Sequence, residues 1–391
     1  MTGETFIDVD SCNRSKTGQA VSGDVFLSRR IREEGRIVSV LSDGLGSGVK
    51  AGVLANLTAT MALRYSTAFA DVRRSAGIIM DTLPICQVRK ISYSTFTIVD
   101  IEETGRARVI EHGNPPLLLV RAGKVQPFER TEFRLENWKD RTISFGEFQV
   151  ELNDRIICFS DGITQSGLGQ PGFPFGWGSD RAERFICGAL ELDPGLSASL
   201  LARKILAEAL SNDHQKAKDD MTCAVVHYRS PRRLLVITGP PYERDRDSEL
   251  AELVVSYPGR KAICGGTTAN IVSRLLGRTV RPLLGNLDAE VPPAAKMEGV
   301  DLVTEGTITL ARVAEMLEHG VPERGSANPA GELLRLMTQS DVVEFFVGTR
   351  INEAHQDPNV PVELDLRRNV IRRIAGLLES KHLKECRLRF L

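Results

Sequence analysis

The stretch Arg-Ile-Val-Ser-Val-Leu-Ser-Asp-Gly-Leu-Gly-Ser-Gly, residues 36–48, decides the fold of the first half of the chain. Its apolar and β-branched part ends at Asp43, three glycines follow closely, and helix-forming residues begin at Val49. Such a run, bounded by aspartate and glycine, is typical of a buried strand. The strand end holds the Asp43 side chain rigidly and leaves it open to solvent, and Gly44 lets backbone approach a bound group closely.

Aspartates at the ends of apolar runs recur three more times in the first 230 residues. Because hard divalent cations such as Mg²⁺ and Mn²⁺ prefer oxygen ligands, carboxylates converging from four separate strands predict a metal site. Two such ions lower the pKa of a bridging water, which points to hydrolysis of a phosphate ester. A single Asp-Gly pair is more often a simple turn, but four in one domain favour the metal. The three further motifs are Ser22-Gly23-Asp24, Ser160-Asp161-Gly162-Ile163 and Asp219-Asp220-Met221-Thr222.

The composition sets limits on the function. The chain has 391 residues with 50 Lys and Arg against 51 Asp and Glu, so it is not a generally basic nucleic-acid-binding protein. It has no run of about 18 apolar residues and no basic-then-apolar leader, which predicts no membrane span, no export and a cytoplasmic location. The seven cysteines form no CxxC pair, which argues against a disulfide framework and a thiolate zinc site.

The periodicity predicts two domains, 1–230 and 231–391, with a boundary near Ser230. In the first, strands and helices are segregated, which is typical of an α+β layered fold with antiparallel sheets. A buried helix is predicted at Val49–Tyr65, where Val53, Leu54, Leu57, Met61 and Leu63 occur with small residues between them. Further helices are predicted near Asp71–Leu83 and at Leu196–Leu210. The predicted strands are Arg36–Leu41, Thr95–Asp100, Arg106–Glu111, Leu117–Val120, Phe148–Leu152, Arg155–Phe159 and Met221–Tyr228.

The second domain alternates short strands with helices, which predicts a smaller α/β domain with a largely parallel sheet. Gly265, Gly266 and Thr267 join a strand to a helix, and backbone N–H groups at a helix start suit an anion or a small-molecule ligand. Alternatively, these three residues only form a turn and cap the helix. The loops at Gly239-Pro240-Pro241 and 348–353 are expected at the same sheet edge, where ligands of open α/β sheets bind.

The motifs of the first domain, taken together, resemble the metal-dependent protein phosphatase (PPM, or 2C-type) superfamily. The resemblance is to the bacterial branch typified by stage II sporulation protein E, and it covers about residues 5–229. It implies an αββα sandwich, two antiparallel sheets flanked by helices. It rests on the order and spacing of SGDVF (22–26), LSDGLGSG (41–48), HGNPPLLL (112–119), ISFG (143–146), DRIICFSDGIT (154–164) and DDMTCAVV (219–226).

The resemblance also implies roles for individual residues. Asp43 would bridge two Mn²⁺ or Mg²⁺ ions, the Gly44 carbonyl would help to hold the second ion, and Asp161 with Asp219 would complete the first. Asp24 matches an acidic position that binds metal or its water shell, and Asp220 is given a supporting role only. The catalytic residues implied are Asp43, Asp161 and Asp219.

This chain departs from the eukaryotic members at two positions. Leu45 stands where those enzymes have a histidine after the bridging Asp-Gly, and no arginine clearly matches their phosphate-binding arginine. Arg14 and Lys16 lie in that neighbourhood and are expected to be solvated loop charges. Among the histidines, His112 is expected to be structural, and His214, in the loop before Asp219, is a weaker candidate for proton transfer.

The sequence therefore predicts a metal-dependent protein serine/threonine phosphatase whose partner is a phosphorylated regulatory protein. Its C-terminal domain is a candidate for ligand sensing. The alternative is a non-catalytic scaffold that keeps the phosphatase fold for recognition. The presence of acids at all four positions argues against that alternative.

Overall fold

The computed structural model describes residues 4–68, 77–78, 94–134, 142–283, 292–320, 328–350 and 360–390. The chain divides into two compact units, unit 1 (Met1–Ser230) and unit 2 (Pro231–Leu391). None of the helices in these ranges is both long and apolar enough to cross a membrane.

Unit 1 contains two antiparallel sheets. The five-stranded sheet has the order β1-β11-β10-β6-β7, and the six-stranded sheet has the order β2-β3-β4-β5-β9-β8. The strands are β1 (Phe6–Arg14), β2 (Asp24–Ile31), β3 (Arg36–Gly44), β4 (Ser94–Glu102), β5 (Arg106–His112), β6 (Leu118–Arg121), β7 (Lys124–Gln126), β8 (Arg130–Arg134), β9 (Thr142–Gln149), β10 (Arg155–Phe159) and β11 (Met221–Arg229).

Successive side chains of a strand face opposite sides of its sheet, so each sheet of unit 1 contributes to two cores and the unit has four layers. In β3, Ile37 and Leu41 lie in the core between the sheets, together with Ile156 of β10. Their neighbours Val38 and Val40 face the opposite way, against the first helix. Both faces of the central strands are therefore buried, and unit 1 is the helix-sheet-sheet-helix sandwich that the sequence predicts.

Four helices of unit 1 are described, and two of them cover the five-stranded sheet. Helix α1 packs on the six-stranded sheet, whereas α3 and α4 share an apolar core with the outer face of the other sheet. The short α2 follows β10 directly. The helices are α1 (Gly48–Ala68), α2 (Asp161–Thr164), α3 (Ser179–Leu192) and α4 (Ala198–Asn212).

Helix α1 forms where it is predicted, but its small residues are buried more fully than the large apolar ones. Val53 and Leu57 are 61% and 46% exposed, whereas Ala51, Ala55 and Ala59 are fully buried. The helix lies close to the sheet, and small side chains permit that approach where larger ones would not fit.

Two other predictions for unit 1 need comment. The predicted strand Phe148–Leu152 is wrong, because β9 ends at Gln149 and a turn follows in which Asp154 Oδ2 accepts a 2.8 Å hydrogen bond from the Glu151 N–H. Nearly all of the predicted helix near Asp71–Leu83 lies outside the described residues.

Unit 2 is a three-layer α/β unit around a seven-stranded sheet of order β14-β15-β16-β13-β12-β17-β18. Five neighbouring strands, β16, β13, β12, β17 and β18, are parallel to one another. Strands β14 and β15 are antiparallel additions at one edge. The strands are β12 (Arg233–Thr238), β13 (Arg260–Cys264), β14 (Arg281–Pro282), β15 (Ala295–Met297), β16 (Val300–Thr304), β17 (Val342–Val347) and β18 (Glu385–Phe390).

Helices cover both faces of this sheet. In β12, Leu234 and Val236 face the core formed with α7, α8 and α9, whereas Leu235 and Ile237 face α5 and α6. The largely parallel sheet is thus confirmed, and the sequence patterns missed α8, β14, β15 and β18. The helices are α5 (Asp247–Ser256), α6 (Gly266–Leu276), α7 (Thr307–His319), α8 (Pro329–Gln339) and α9 (Val360–His382).

Candidate active site

Asp24 and Asp43 lie side by side at one end of the six-stranded sheet. Asp24 begins β2, Asp43 is the second-last residue of β3, and the two are directly paired across the antiparallel ladder. Asp24 is almost fully buried, and Asp43 is partly open. The register of this strand pair therefore places the two carboxyl groups side by side.

Glycines permit the close backbone approach that this arrangement needs. A Cβ on Gly44 would lie 2.2 Å from the Ala51 carbonyl oxygen of α1. A Cβ on Gly162 would lie 2.1 Å from the Asp220 carbonyl oxygen. Packing therefore requires glycine after both Asp43 and Asp161. The Asp43 loop packs against α1, and the Asp161 loop packs against the segment before β11.

Three further acids lie at the end of the five-stranded sheet. Asp161 opens α2 directly after β10, and Asp219 and Asp220 lie immediately before β11, the neighbour of β10. Asp220 is buried, and its Oδ1 accepts a 2.9 Å hydrogen bond from the Lys16 N–H. Asp219 is partly open, and its Oδ1 accepts from the Asp220 N–H at 3.0 Å.

The four carboxyl groups interact electrostatically. Burial, then the charges of Asp24, Asp161 and Asp219, raise the pKa of Asp43 to about 9. Burial also raises the pKa of Asp24 to about 7, with Asp220 and Asp161 adding to the shift and the Ser160 hydroxyl opposing it. The pKa of Asp161 is raised by burial and by Asp219. Shifts of this origin show that like charges converge on one place.

A hydroxyl group that sequence reasoning missed links the two sheets at the site. Ser160 Oγ donates a 2.6 Å hydrogen bond to Asp24 Oδ2 and accepts one from the Thr222 N–H at 2.9 Å. Asn13 Nδ2 donates to Thr222 Oγ1 at 2.7 Å, and Gln165 Nε2 donates to Asp161 Oδ2 at 2.8 Å. Ser160 directly precedes Asp161, and a polar residue ending a buried strand is the one sequence signal that marks it.

The donor chemistry of the cluster fits a hard divalent cation. All of its side-chain donors are carboxylate oxygens, and two of these, Asp24 Oδ1 and Asp220 Oδ2, are buried without a hydrogen-bond partner. Within the described ranges no three acidic, histidine or cysteine side chains already surround a point that would hold an ion. Burial, with the neighbouring acid charges adding to it, raises the pKa of both Asp43 and Asp161. A cation would neutralise the same charges.

The structure also places the two histidines and the lysine that the sequence singled out. His112 is buried, its Nδ1 lies 3.2 Å from the Thr142 carbonyl oxygen and its ring packs on Phe96, as expected for a structural histidine. His214 is exposed in a left-handed turn with φ 53°. Lys16 was expected to be a solvated charge, but its Nζ lies 3.9 Å from Asp219 Oδ1 at the edge of the cluster.

Comparison with known proteins agrees with the sandwich fold. Residues 33–229, about half of the chain, match the family described as Stage II sporulation protein E (SpoIIE). The chain therefore belongs to the SpoIIE family. No curated protein sequence matches it.

Several solved structures are similar to part of the chain. The phosphatase domain of SpoIIE from Bacillus subtilis is 18% identical with a TM-score of 0.45, over 59% of this chain and 95% of that chain. A second Bacillus subtilis SpoIIE structure, the PP2C phosphatase domain with a fragment of the regulatory domain, is 20% identical with a TM-score of 0.48, over 58% and 64%. The RsbU and RsbW domains of a Mycobacterium tuberculosis protein are 17% identical with a TM-score of 0.47, over 64% and 68%.

Proposed function

We propose that the chain is a divalent-metal-dependent protein phosphatase that hydrolyses phosphoserine or phosphothreonine on a regulatory protein. The observation that carries this proposal is the meeting of Asp24, Asp43, Asp161 and Asp219, which the two sheets supply from four chain segments. Burial, together with the charges of Asp24, Asp161 and Asp219, raises the pKa of Asp43 to about 9, and carboxyl groups with strongly shifted pKa values cluster at functional sites. Membership of the SpoIIE family supports the same activity.

The residues present define how the metal would be held. Asp43 and the Gly44 carbonyl, together with Asp161, Asp219 and Asp24, offer the hard oxygen donors that Mn²⁺ or Mg²⁺ prefers. Bound there, a pair of such ions would supply a water of lowered pKa as the nucleophile and would neutralise the substrate phosphate.

The surrounding residues hold this set in place. Asp24 is fixed by the Ser160 hydroxyl, and Asp161 by the Gln165 amide. Lys16 lies at the open side of the cluster with its side chain 39% exposed, so its ammonium group is in a position to attract a phosphate. Leu45 follows Gly44 and carries no titratable group, so the proton for the departing serine or threonine oxygen comes from elsewhere.

The openness of the site favours a protein substrate. Asp43, Asp161 and Asp219 are each partly exposed, while Asp24 and Asp220 are buried beneath them. A phosphoryl group on a surface side chain of another protein can reach such a shallow site without being enclosed. We assign the catalytic domain to residues 1–230 and a regulatory role to residues 231–391.

The direct test is hydrolysis of p-nitrophenyl phosphate and of phosphothreonine and phosphotyrosine peptides by the full chain. We expect activity with Mn²⁺ or Mg²⁺, loss of activity with EDTA, preference for phosphothreonine over phosphotyrosine, and a loss of at least about 100-fold in Asp43→Asn. Asp180→Asn, which removes an exposed acid at the start of α3, is the matched control. Activity that is indifferent to EDTA and to Asp43→Asn would exclude this mechanism.

A further inference from the structure

Four adjacent parallel strands of unit 2 end in register. Thr304 of β16 pairs with Cys264 of β13, Cys264 with Thr238 of β12, and Thr238 with Val347 of β17. Each of these strands is followed within two residues by a glycine: Gly306, Gly265, Gly239 and Gly348 respectively. The chain leaves β12 for β13 on one side and later enters β17 on the other, so β12 marks the point at which the strand order reverses. In open α/β sheets, ligands bind in the crevice at that point.

Two helix N-termini lie next to each other at this edge. Helix α6 begins after the cap residue Gly265, and α7 begins after the cap residue Gly306. A Cβ on Gly306 would lie 3.6 Å from the Gly265 Cα, so the two caps are in close contact. A glycine cap has no side chain to accept a hydrogen bond, and neither first turn contains an acid, so both helix ends present positive dipole charge. The one acid beside a cap is Glu305, which directly precedes Gly306.

Buried hydroxyl groups provide a second, independent observation. Thr268 and Thr309 occupy the same position in the two helices, the third residue after the glycine cap. Their side-chain oxygens are buried, and neither has a hydrogen-bond partner among the described residues. The Thr268 hydroxyl faces the cap, since it lies 3.4 Å from the position of a Cβ on Gly265. A third buried hydroxyl without a partner, that of Thr238, lies at the end of β12 between them and β17.

A buried hydroxyl without a partner costs about 1–3 kcal/mol, so three at one sheet edge need an explanation. Each is able to donate to an anion. An arginine adds positive charge at the same edge, because Arg367 Nη1 lies 3.4 Å from the Gly348 carbonyl oxygen and against Gly239. The acid Asp247 nearby is neutralised by Arg350 at 2.9 Å. The donors and charges of this edge therefore match a phosphate group.

We infer that the carboxyl edge of the unit 2 sheet, at Gly265, Gly266, Thr268, Gly306 and Thr309, is a binding site for a small phosphate-bearing molecule. Gly266 leaves the necessary room, because a Cβ built on it meets no atom within 4 Å. The two helix N-termini hold the phosphate oxygens, and the rest of the molecule extends over Gly239 toward Arg367. This site is separate from the carboxylate cluster of unit 1 and does not depend on its activity.

The test is calorimetric titration of the full chain, in EDTA, with inorganic phosphate and with ribose 5-phosphate. Gly266→Ala and Thr268→Val are expected to weaken binding at least tenfold, about 1.4 kcal/mol. Gly376→Ala is the matched control, since Gly376 also lies in a helix of unit 2 and its new Cβ also meets no atom within 4 Å. Tighter binding of ribose 5-phosphate than of inorganic phosphate identifies an ester, and the reverse identifies free phosphate.

Three results would overturn the inference. One is equal affinity of Gly266→Ala and Gly376→Ala for both probes. Another is the absence of binding by the unsubstituted chain up to about 50 mM, where even a millimolar site would be filled. The third is loss of binding in Asp43→Asn instead of in the unit 2 variants. A separate readout checks the premise: without ligand, Thr268→Val should raise the melting temperature, because it removes a buried hydroxyl that has no partner.

Discussion

The Ser160 hydroxyl donates a 2.6 Å hydrogen bond to Asp24 Oδ2 across 136 positions of the sequence. The same oxygen accepts the Thr222 N–H of β11 at 2.9 Å. One side chain thus ties β10 and its neighbour β11, in the five-stranded sheet, to the start of β2 in the six-stranded sheet. The distance between the acids of one sheet and those of the other depends on this bond.

Ser160→Ala should loosen the metal site as well as the fold. The substitution leaves Asp24 Oδ2 without its donor and the buried Thr222 N–H without an acceptor, so the free energy of unfolding should fall by about 1–3 kcal/mol. The Mn²⁺ concentration for half-maximal activity should rise several-fold. Ser39→Ala is the control, because Ser39 is equally buried but contacts Ser28 Oγ at 2.9 Å. An unchanged Mn²⁺ requirement in Ser160→Ala would show that Ser160 does not position Asp24.

The stability of the metal-free protein should decrease as the pH rises. The folded pKa values of Asp43, about 9, and Asp24, about 7, are above the ordinary 3.8, so the folded state binds more protons than the unfolded state over this range. Stability then declines from about pH 4 to about pH 9, by up to about 1.4 kcal/mol per pH unit for Asp43, and Asp24 adds to the slope only up to about pH 7. Asp43→Asn should reduce this slope, as urea denaturation in EDTA at several pH values would measure.

Asp180→Asn again serves as the control for the pH dependence, because it removes one charge without entering the cluster. If the metal-free protein instead became more stable between about pH 6 and 9, the four acids would not repel each other as the structure indicates.

Gly162→Ala should disturb the site through the backbone. Its Cβ would lie 2.1 Å from the Asp220 carbonyl oxygen, so α2 or the segment before β11 must move. We expect a loss of at least about 2 kcal/mol in the free energy of unfolding, together with lower affinity for Mn²⁺. Gly172→Ala is the matched control, because its Cβ meets no atom within 4 Å. A Gly162→Ala protein as stable as Gly172→Ala would contradict the close approach.

Lys16→Met should weaken substrate binding more than it slows the chemical step. The Lys16 ammonium lies 3.9 Å from Asp219 Oδ1 and is partly exposed, so it contributes mainly a screened attraction for phosphate. Steady-state kinetics with a phosphothreonine peptide should show KM raised several-fold at low salt and kcat changed less. Lys124→Met, an exposed lysine on β7, should leave both unchanged. An unaltered KM in Lys16→Met would remove this residue from the site.

The strand ends that carry the acids were predictable from sequence because apolar runs there stop abruptly at polar residues. The predicted run Arg155–Phe159 coincides with β10, and Asp161 follows it as expected. Asp43 was predictable for the same reason, since it ends the apolar run of a strand that is buried on both faces. Asp24 and Asp219 instead precede their strands, contrary to the prediction that each acid ends one.

The supporting contacts were not predictable, because they depend on which strands become neighbours. Ser160 bonds Asp24 only because two sheets stack, and no local pattern encodes that distance. The buried face of α1 was not predicted for a related reason: hydrophobicity favours Val53 and Leu57, but close helix-sheet packing selects Ala55 and Ala59. Strand β18 was missed although its sequence, Glu-Cys-Arg-Leu-Arg-Phe, alternates charged and apolar residues, as suits a strand at a sheet edge.

The central claim is that four carboxylates from two sheets form a single metal-binding centre, and titration of the metal-free chain with Mn²⁺ tests it most directly. Calorimetry of the full chain, Asp43→Asn, Asp161→Asn and the control Asp180→Asn should show binding to the unsubstituted protein and the control, with at least about a tenfold loss of affinity in the other two. The same affinity in Asp43→Asn as in the unsubstituted chain would contradict the claim.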